Sequence, residues 1–562
     1  MSRISDRAAL AAVVAVALAA SLAGLDNAFV YDDVVMIQLN DRVHGLSHWR
    51  EILGSPYWPP PWNQEHYRPL TSLLFAAQYS LGAGFPLIFR ITSYLLYAGA
   101  AAGVFLLGTR LLPRHIALGV ALLFAAHPVH VEAVAPAVGQ SELMVGLVAV
   151  MMTIVYLDRR RAGSFALRDW AVLSGLYAVA SLSKEHGLVL PGLLLAVEMF
   201  LLDGPIRARA RELWRGYAGL TGLGLGLVVL RFAVLGGQFS GQWTTEALNG
   251  LSMAGRALTM LQVVPHWLRL LVWPAHLQVE YSPQEFMAAS GIGPAEALGL
   301  LLLAAWALGV WLARRRMPVL SFGLAWMAVV LLPVSNVLVP TGSLLAERLL
   351  YLPSVGFLLG AGAVVARLLG DGAPSASKSR VLTGAVALLA LAGVVRSAER
   401  HRVWRNEGIF SVRGVQDAPR SFRAQRAYGN VLFELGLKEL ALDAYGKAIE
   451  LSAPTGHSWR VRNDLAARFR AAGESASEAE QLRLSLGENP EQEDSRGHLV
   501  AARLALGQYE EAAREADAAL DRGGSPAVFR GLRALADSAA LAGAPPGSVR
   551  IRVVTGATAP RP

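Results

Sequence analysis

The side chains best suited to chemistry in this 562-residue chain occur in short groups between long apolar runs. The first group is Asp32-Asp33, which follows the apolar run 8–25. Two adjacent carboxylates can bind a divalent cation, or one can act as a general base on a hydroxyl while the other steadies charge. An Asp pair beyond a helix can also be an N-cap or an interfacial acid pair. The pair by itself leaves both interpretations open.

A second group contains His127, His130 and Glu132, in the segment His-Pro-Val-His-Val-Glu. Two histidines and a carboxylate at short spacing can ligate a metal or accept protons. Together with Asp33 they form a candidate set of ligands for a divalent cation. Three such residues in one loop fall short of a zinc signature, and a solvated turn is an equally good interpretation of the group alone.

The third group is Ser183-Lys184-Glu185-His186-Gly187, which separates two apolar runs. Lys184 can neutralise a phosphate while Glu185 holds it in place, although an ion pair that caps two helices would look the same. Other cations occur at positions 68, 231, 269 and 348. Cations scattered along one face of a membrane suit an anionic lipid head group.

Composition places these groups in a membrane protein. Hydrophobic residues make up 54% of the chain and charged residues 17%, with a mean hydropathy of +0.41. An ordinary soluble domain has about a quarter charged residues, so the apolar excess must face lipid. The net charge of +9 comes with arginines that lie between apolar runs, which indicates membrane orientation and not nucleic-acid binding. The absence of cysteine excludes disulfides and thiol catalysis.

Eleven runs are long enough, or nearly so, to cross a bilayer core of about 30 Å. They are 8–25, 87–109, 114–128, 140–157, 169–183, 187–203, 214–235, 293–313, 317–336, 349–368 and 381–395. The sequence therefore predicts an all-α polytopic bundle over residues 1–395. The first run is expected to be an uncleaved span and not a signal peptide, because ten further spans need an orienting N-terminus.

The arginine clusters predict the topology of these spans. With a cytoplasmic N-terminus, every dense basic cluster of residues 1–395 falls on the cytoplasmic side. The apolar segment 258–274 contains Pro265, His266 and Arg269, so it is interpreted as a re-entrant or interfacial helix. An odd number of spans then places the three polar groups and the C-terminal tail outside the cytoplasm. Richness in Ala, Gly, Arg and Leu favours a bacterial plasma (inner) membrane.

The tail has the composition of a soluble helical-repeat domain. It is divided into a linker at 396–425, about three tetratricopeptide repeats at 426–540 and a loose end at 541–562. Gly436 and Gly507 begin matching patterns and are 71 residues apart, about two repeat periods, with a divergent middle repeat around Gly473. Such a short solenoid can bind an extended peptide or a partner protein, or it can be a folded cap without a ligand.

The order of these segments resembles a known family. It is similar to that of the transmembrane and tetratricopeptide-repeat-containing O-mannosyltransferases, which belong to the GT-C class of integral-membrane glycosyltransferases. The segments that carry the resemblance are Tyr31-Asp32-Asp33, Tyr67-Arg68-Pro69-Leu70-Thr71, His127 to Val134, Leu182 to Gly187, Leu271 to Pro274 and Glu347 to Phe357. One departure is Phe89-Arg90-Ile91-Thr92-Ser93-Tyr94, where the family has a histidine-rich, asparagine-containing span.

The resemblance implies an outward-facing GT-C-like active site that uses a polyprenyl-phosphate sugar, with mannose the expected sugar. It implies transfer to Ser or Thr hydroxyls of extracytoplasmic proteins, with inversion, and acceptor binding through the repeats. Asp32 would be the base, with Asp33 as its partner or a metal contact and Glu132 as a second acidic residue. The implied donor-phosphate residues are Arg68, Lys184, His186 and Arg348.

A second hypothesis is a non-enzymatic scaffold, or a protein of lipid-linked glycan assembly or transport, whose repeats recruit partners. Transport favours charged or helix-breaking residues near the middle of spans. In this sequence the charges lie mostly at the outer ends of the predicted spans. That distribution favours the enzyme.

Overall fold

The computed structural model describes residues 5–60, 66–163, 165–237, 245–281, 285–370 and 375–551. Regular structure in these ranges is helical throughout, as the sequence predicts. The α-helices are α1 Asp6–Ser21, α2 Trp49–Gly54, α3 Pro69–Gly82, α4 Pro86–Leu111, α5 Arg114–Ala125, α6 Val131–Val134, α7 Gln140–Arg161, α8 Leu167–Ser183, α9 Leu190–Phe200, α10 Ile206–Val234, α11 Met253–Leu261, α12 Val263–Val272, α13 Pro294–Ala313, α14 Pro318–Leu331, α15 Tyr351–Leu369, α16 Ala376–Val403, α17 Glu407–Asp417, α18 Phe422–Glu434, α19 Lys438–Ser452, α20 Ser458–Ala471, α21 Ser475–Glu488, α22 Glu493–Ala505, α23 Tyr509–Asp521 and α24 Pro526–Leu541.

The chain divides into two compact units, of which the first ends at Phe410 and the second runs from Ser411. Within the described ranges, seven helices of the first unit are long and apolar enough to cross a membrane, and an eighth candidate is the pair Arg114–Ala125 and Pro128–Val134, bent by 46°. Three of the seven have only 11% of their apolar window buried, so their surfaces are suited to lipid. The protein is therefore multi-pass, while the count of eleven spans stays a prediction.

Two predicted spans, 169–183 and 187–203, correspond to the shorter helices α8 and α9, of 17 and 11 residues. Asp169 at the start of α8 pairs with Arg159 at 3.2 Å, and Glu198 near the end of α9 pairs with Arg160 at 2.7 Å. The turn between the two helices contains Lys184. Both helices are shorter than the roughly 20 residues that usually cross a bilayer core, so these two spans stay predictions.

The segment 258–274, predicted to be re-entrant or interfacial, is not one continuous helix. It is divided at Gln262 between α11 and α12, of 9 and 10 residues. At about 1.5 Å per residue, neither helix is long enough to cross a bilayer core.

Two glycines allow α14 and α15 to pack closely. A Cβ atom added at Gly323 would collide with the carbonyl of Gly356, and one added at Gly356 would collide with the carbonyl of Gly323. Contacts between backbones of this kind are typical of helix pairs in membranes. Gly356, which lies in the segment Glu347 to Phe357, therefore allows α15 to pack closely against α14.

The second unit contains three helix hairpins, α18–α19, α20–α21 and α22–α23, followed by α24. The turns hold Gly436, Gly473 and Gly507, with φ values of 74°, 75° and 76°. The three glycines singled out in the predicted repeats thus lie at hairpin turns, and the left-handed φ explains the glycine at each turn. That these hairpins are tetratricopeptide repeats stays a prediction. The predicted linker 396–425 is different, because α16 continues to Val403 and α17 follows it. In the charged last turns of α16, the buried Arg400 lies 3.5 Å from Glu347.

Candidate active site

Asp33 is a structural carboxylate. It is fully buried and accepts hydrogen bonds from the N–H groups of Ala137 and Val138, both at 2.9 Å, in the turn before α7. The buried guanidinium of Arg90 on α4 donates to it at 3.2 Å. The carboxylate therefore caps a helical turn and joins three elements. Arg90 lies in the segment 89–94, which is predicted to depart from the family that the sequence resembles, and its ion pair with Asp33 gives this segment a structural role.

Asp32 has the opposite environment. Its half-buried carboxylate makes no hydrogen bond or ion pair with any residue that the structure describes, although Arg348, Asp33, Glu132 and Arg68 are near enough to act on it electrostatically. The pKa of Asp32 is raised to about 6, mainly by burial; Arg348 and Arg68 act to lower it, and Asp33 and Glu132 act to raise it. A carboxylate without a partner and with a pKa near neutrality has the properties of a general base.

The backbone before Asp32 is held in an uncommon conformation. Tyr31 has a φ of 58°, in the left-handed region that aromatic residues rarely adopt. Its N–H donates to Glu407 at 3.1 Å, and its ring lies 5.5 Å from that of Phe410. These contacts hold the backbone of Tyr31 and so set the direction of the chain immediately before Asp32 and Asp33. Uncommon backbone geometry of this kind is frequent at functional sites.

Glu132 and Arg348 form a two-point ion pair. One carboxylate oxygen of the buried Glu132 accepts from the Arg348 backbone N–H at 3.0 Å, and the other accepts from its guanidinium. The Arg348 side chain is 30% exposed, whereas that of Glu132 is 4% exposed. This pair joins the second and last polar segments of the sequence, 216 residues apart.

The two histidines of the second group serve the packing of the site. His130 is buried, and its two ring nitrogens lie 2.9 Å from the hydroxyls of Tyr97 and Ser354. His127 Nε2 lies 3.0 Å from the carbonyl of Leu271, in another segment of the resemblance. Within the described ranges no three His, Asp or Glu side chains are placed to hold one metal ion. The four candidate ligands instead have partners within the protein: Asp33 with Arg90, Glu132 with Arg348, and the two histidines as described above. A divalent cation at this set stays a prediction of the sequence.

Lys184 and His186 both face Glu142. Lys184 Nζ lies 2.5 Å from one carboxylate oxygen, and His186 Nδ1 lies 3.6 Å from the other. All three side chains are buried. Burial lowers the pKa of His186 to about 4, against the opposing effect of Glu142, so the imidazole is neutral at pH 7. His186 can donate a hydrogen bond but brings no positive charge.

Glu185, in the third polar group, joins that group to the segments that contain Arg68 and Arg231. Arg68 donates to its Oε2 through Nε at 3.0 Å and through Nη2 at 2.8 Å. Arg231, in the last turn of α10, donates to Oε1 at 2.7 Å, and His66 Nδ1 lies 3.3 Å from the same oxygen. The hydroxyl of Thr71 adds a hydrogen bond to the carbonyl of Ser183 at 2.8 Å.

The glycine of the third polar segment has a steric role. A Cβ atom at Gly187 would collide with the backbone of Ala180 and Ser181 on α8. The turn after Glu185 therefore folds directly onto the helix that precedes it. Only glycine fits this close approach without displacing the turn.

The structure thus gathers most of the predicted residues into one electrostatic cluster, which consists of Asp32, Arg68, Glu132, Lys184 and Arg348. The sequence predicted no site role for three further residues, His66, Arg90 and Glu142, and included Arg231 only among the cations suited to an anionic lipid head group. Each of the four is the partner of a residue already singled out. Which loops pair with one another depends on the three-dimensional fold. In the sequence, the only sign of these pairs is that the partners can carry opposite charges.

Fold and site together define a class: a multi-pass helical membrane protein whose interhelical loops build a cluster of carboxylates and cations, followed by helix hairpins.

No protein-family model matches the chain. It is 26% identical over 493 residues to protein O-mannosyl-transferase Tmtc3 of Drosophila melanogaster, which covers 75% of this chain and 53% of the relative.

Two further relatives carry the same kind of name. The chain is 27% identical over 477 residues to protein O-mannosyl-transferase TMTC4 of Homo sapiens, covering 75% of this chain and 63% of the relative. It is 26% identical over 454 residues to protein O-mannosyl-transferase F38B6.6 of Caenorhabditis elegans, covering 76% and 61%. The resemblance read from the sequence is confirmed. The alignments span between half and two thirds of the length of these three relatives.

Proposed function

We propose that the protein is a membrane glycosyltransferase that moves a mannosyl group from a polyprenyl-phosphate donor to Ser or Thr hydroxyls of extracytoplasmic proteins. The observation that carries the proposal is the contrast between neighbouring carboxylates. Asp33, Glu132, Glu142 and Glu185 each have a cationic partner, whereas Asp32 has no partner among the described residues. The names of the relatives support the reaction class.

In the proposed reaction, Asp32 accepts the proton of the acceptor hydroxyl as its oxygen forms a bond to the anomeric carbon of the sugar. The bond from that carbon to the phosphate oxygen breaks, and its electron pair leaves with the lipid phosphate. Attack from the face opposite the phosphate inverts the anomeric configuration. Cations of the cluster stabilise the negative charge that grows on the phosphate.

The location of the site follows from the same proposal. The residues of the cluster come from loops predicted to lie outside the cytoplasm, and they contact one another across as many as 216 residues of chain. Several of the predicted cytoplasmic arginines instead pair with acids outside the cluster, as Arg110 does with Asp158 at 2.7 Å. We therefore assign the site to the extracytoplasmic face of the plasma membrane, with the N-terminus cytoplasmic and the repeats binding the acceptor.

The test is transfer by the purified full-length protein. It would be incubated in detergent with a peptide rich in Ser and Thr and with a panel of polyprenyl-phosphate sugars, and the peptide would be analysed by mass spectrometry. The proposal expects one hexose per modified hydroxyl, with the mannosyl donor the most active. Absence of product with every donor, from a protein that is folded and binds the donors, would favour the scaffold hypothesis.

A further inference from the structure

Three arginines near the start of α10 follow one another at intervals of four residues: Arg207, Arg211 and Arg215. All three are exposed, and none makes a hydrogen bond or an ion pair with a residue that the structure describes. Positions four apart on a helix are separated by about 6 Å along its axis and about 40° around it. The three side chains therefore form a row on one face of α10, called the arginine row below.

Other arginines at this end of the bundle are neutralised by carboxylates. Arg209, which lies between the first two members of the row in sequence, is 2.8 Å from the buried Glu198. Arg160 of α7 lies 2.7 Å from Glu198 and 2.9 Å from Glu212. The nearby acids thus pair with arginines outside the row. The charge of the arginine row is left for a ligand from outside the protein.

The face of α10 that carries the row is also its lipid-facing side. Leu213 and Leu220 are buried, and by the helical period they lie about half a turn away from the row. Leu225 and Val229 lie on the same face as the row and are 63% and 66% exposed. Only 11% of the apolar window of this helix is buried. The arginine row therefore continues the lipid-facing surface of α10 beyond its apolar part.

A tryptophan lies where the charged and the apolar parts of this surface meet. Trp214 is 57% exposed, and the guanidinium carbon of Arg215 lies 5.6 Å from the centre of its ring. Tryptophan is enriched at the level of lipid head groups. Guanidinium groups bind phosphate oxygens through paired N–H groups. This part of α10 thus combines a residue typical of the head-group layer with cations that match the lipid phosphates.

We propose that Arg207, Arg211 and Arg215 form a binding site for the head groups of anionic phospholipids, in the leaflet that is cytoplasmic in the predicted topology. Phosphatidylglycerol carries a net negative charge, whereas the choline of phosphatidylcholine balances its phosphate. Each arginine near an anionic membrane surface strengthens binding by on the order of fivefold. About 24 Å of helix separates Arg215 from Arg231, the partner of Glu185, so this site is distinct from the candidate active site.

The absence of cysteine allows a single label to report on the lipid at this face. Ala218 is exposed and lies one turn beyond Trp214 on the same face, so Ala218→Cys can carry a fluorescent probe beside the acyl chains. The labelled full-length protein is reconstituted into phosphatidylcholine bilayers with equal mole fractions of either brominated phosphatidylglycerol or brominated phosphatidylcholine. Bromine quenches the probe on contact. The ratio of quenching by the two lipids should favour phosphatidylglycerol by about threefold or more.

Replacing all three arginines of the row with glutamine should bring this ratio close to one, whereas lysine at the same positions should retain most of the preference. The matched control replaces the arginines at 314–316, which follow α13, with glutamine and should leave the ratio unchanged. Equal losses from the two glutamine variants would mean that total charge governs the preference, and this would overturn the proposal. A ratio near one in the labelled parent protein would also overturn it.

Two further measurements separate head-group binding from loss of the fold. Quenching by brominated phosphatidylcholine should be the same in every variant, because the label still faces the acyl chains. In the labelled parent protein, which needs no change in the row, high salt should lower the preference because it screens exposed charges. A preference that salt leaves unchanged would contradict a site made of exposed arginines.

Discussion

Asp32→Asn should make the protein more stable while removing its base. The carboxylate of Asp32 is half-buried and lacks a partner among the described residues, and burial raises its pKa from 3.8 to about 6. An ionised group in such a place destabilises the fold, because the unfolded chain solvates the charge better. Asparagine has nearly the same shape and removes the charge.

The size of the effect follows from the pKa. A rise of about 2 units at about 1.36 kcal/mol each gives a ceiling of about 3 kcal/mol at pH 7.5. Partial exposure reduces the expected gain to about 1–2 kcal/mol, or an increase of about 1–4 °C in unfolding temperature. The folded state binds the proton more tightly than the unfolded chain, so the gain is complete above pH 6 and falls to about half at pH 5.

The assay is thermal unfolding of detergent-solubilised protein, followed by intrinsic fluorescence at pH 7.5 and pH 5. Asp33→Asn is the matched control at the neighbouring position, and it should destabilise the protein by about 2–4 kcal/mol because it breaks a buried ion pair with Arg90. A lower unfolding temperature for Asp32→Asn at pH 7.5, or an equal shift at both pH values, would refute the reasoning.

Three further predictions concern activity and packing. The transfer rate should rise with pH through about 6, as Asp32 loses its proton, which a pH profile of peptide glycosylation would measure; a flat profile between pH 5 and 7.5 would contradict it. Gly187→Ala should lower stability by about 1–3 kcal/mol through its collision with Ala180, seen as a lower unfolding temperature. Arg348→Gln should destabilise by about 1–3 kcal/mol, and adding Glu132→Gln should restore part of the loss in a double-mutant cycle; full additivity would argue against the pair.

The sequence predicted the helical class and the positions of the hairpins because both depend on local patterns. Apolar runs bounded by arginines identify spans, and Gly436, Gly473 and Gly507 mark turns that need a left-handed residue. The helix bounds were less predictable. The run 187–203 begins with a 3-10 turn, Glu185–Val189, before α9, and the charged end of α16, where Arg400 lies beside Glu347, is helical.

The site was predictable in its members but not in their roles. Adjacent in sequence, Asp32 and Asp33 are equivalent candidates until the turn at Ala137 and the guanidinium of Arg90 are seen to bind only Asp33. The same holds for His130, whose ring nitrogens are both engaged with hydroxyls of other helices. Hydrogen-bond partners that are distant in sequence decide these roles, and no local pattern encodes them.

The most direct test of the account is the rate of mannosyl transfer by Asp32→Asn, measured beside the wild-type protein at saturating donor and peptide. The variant should lose at least about a hundredfold in transfer rate, the usual scale for a lost general base. A transfer rate within a few-fold of wild type would contradict the assignment of Asp32 as the base.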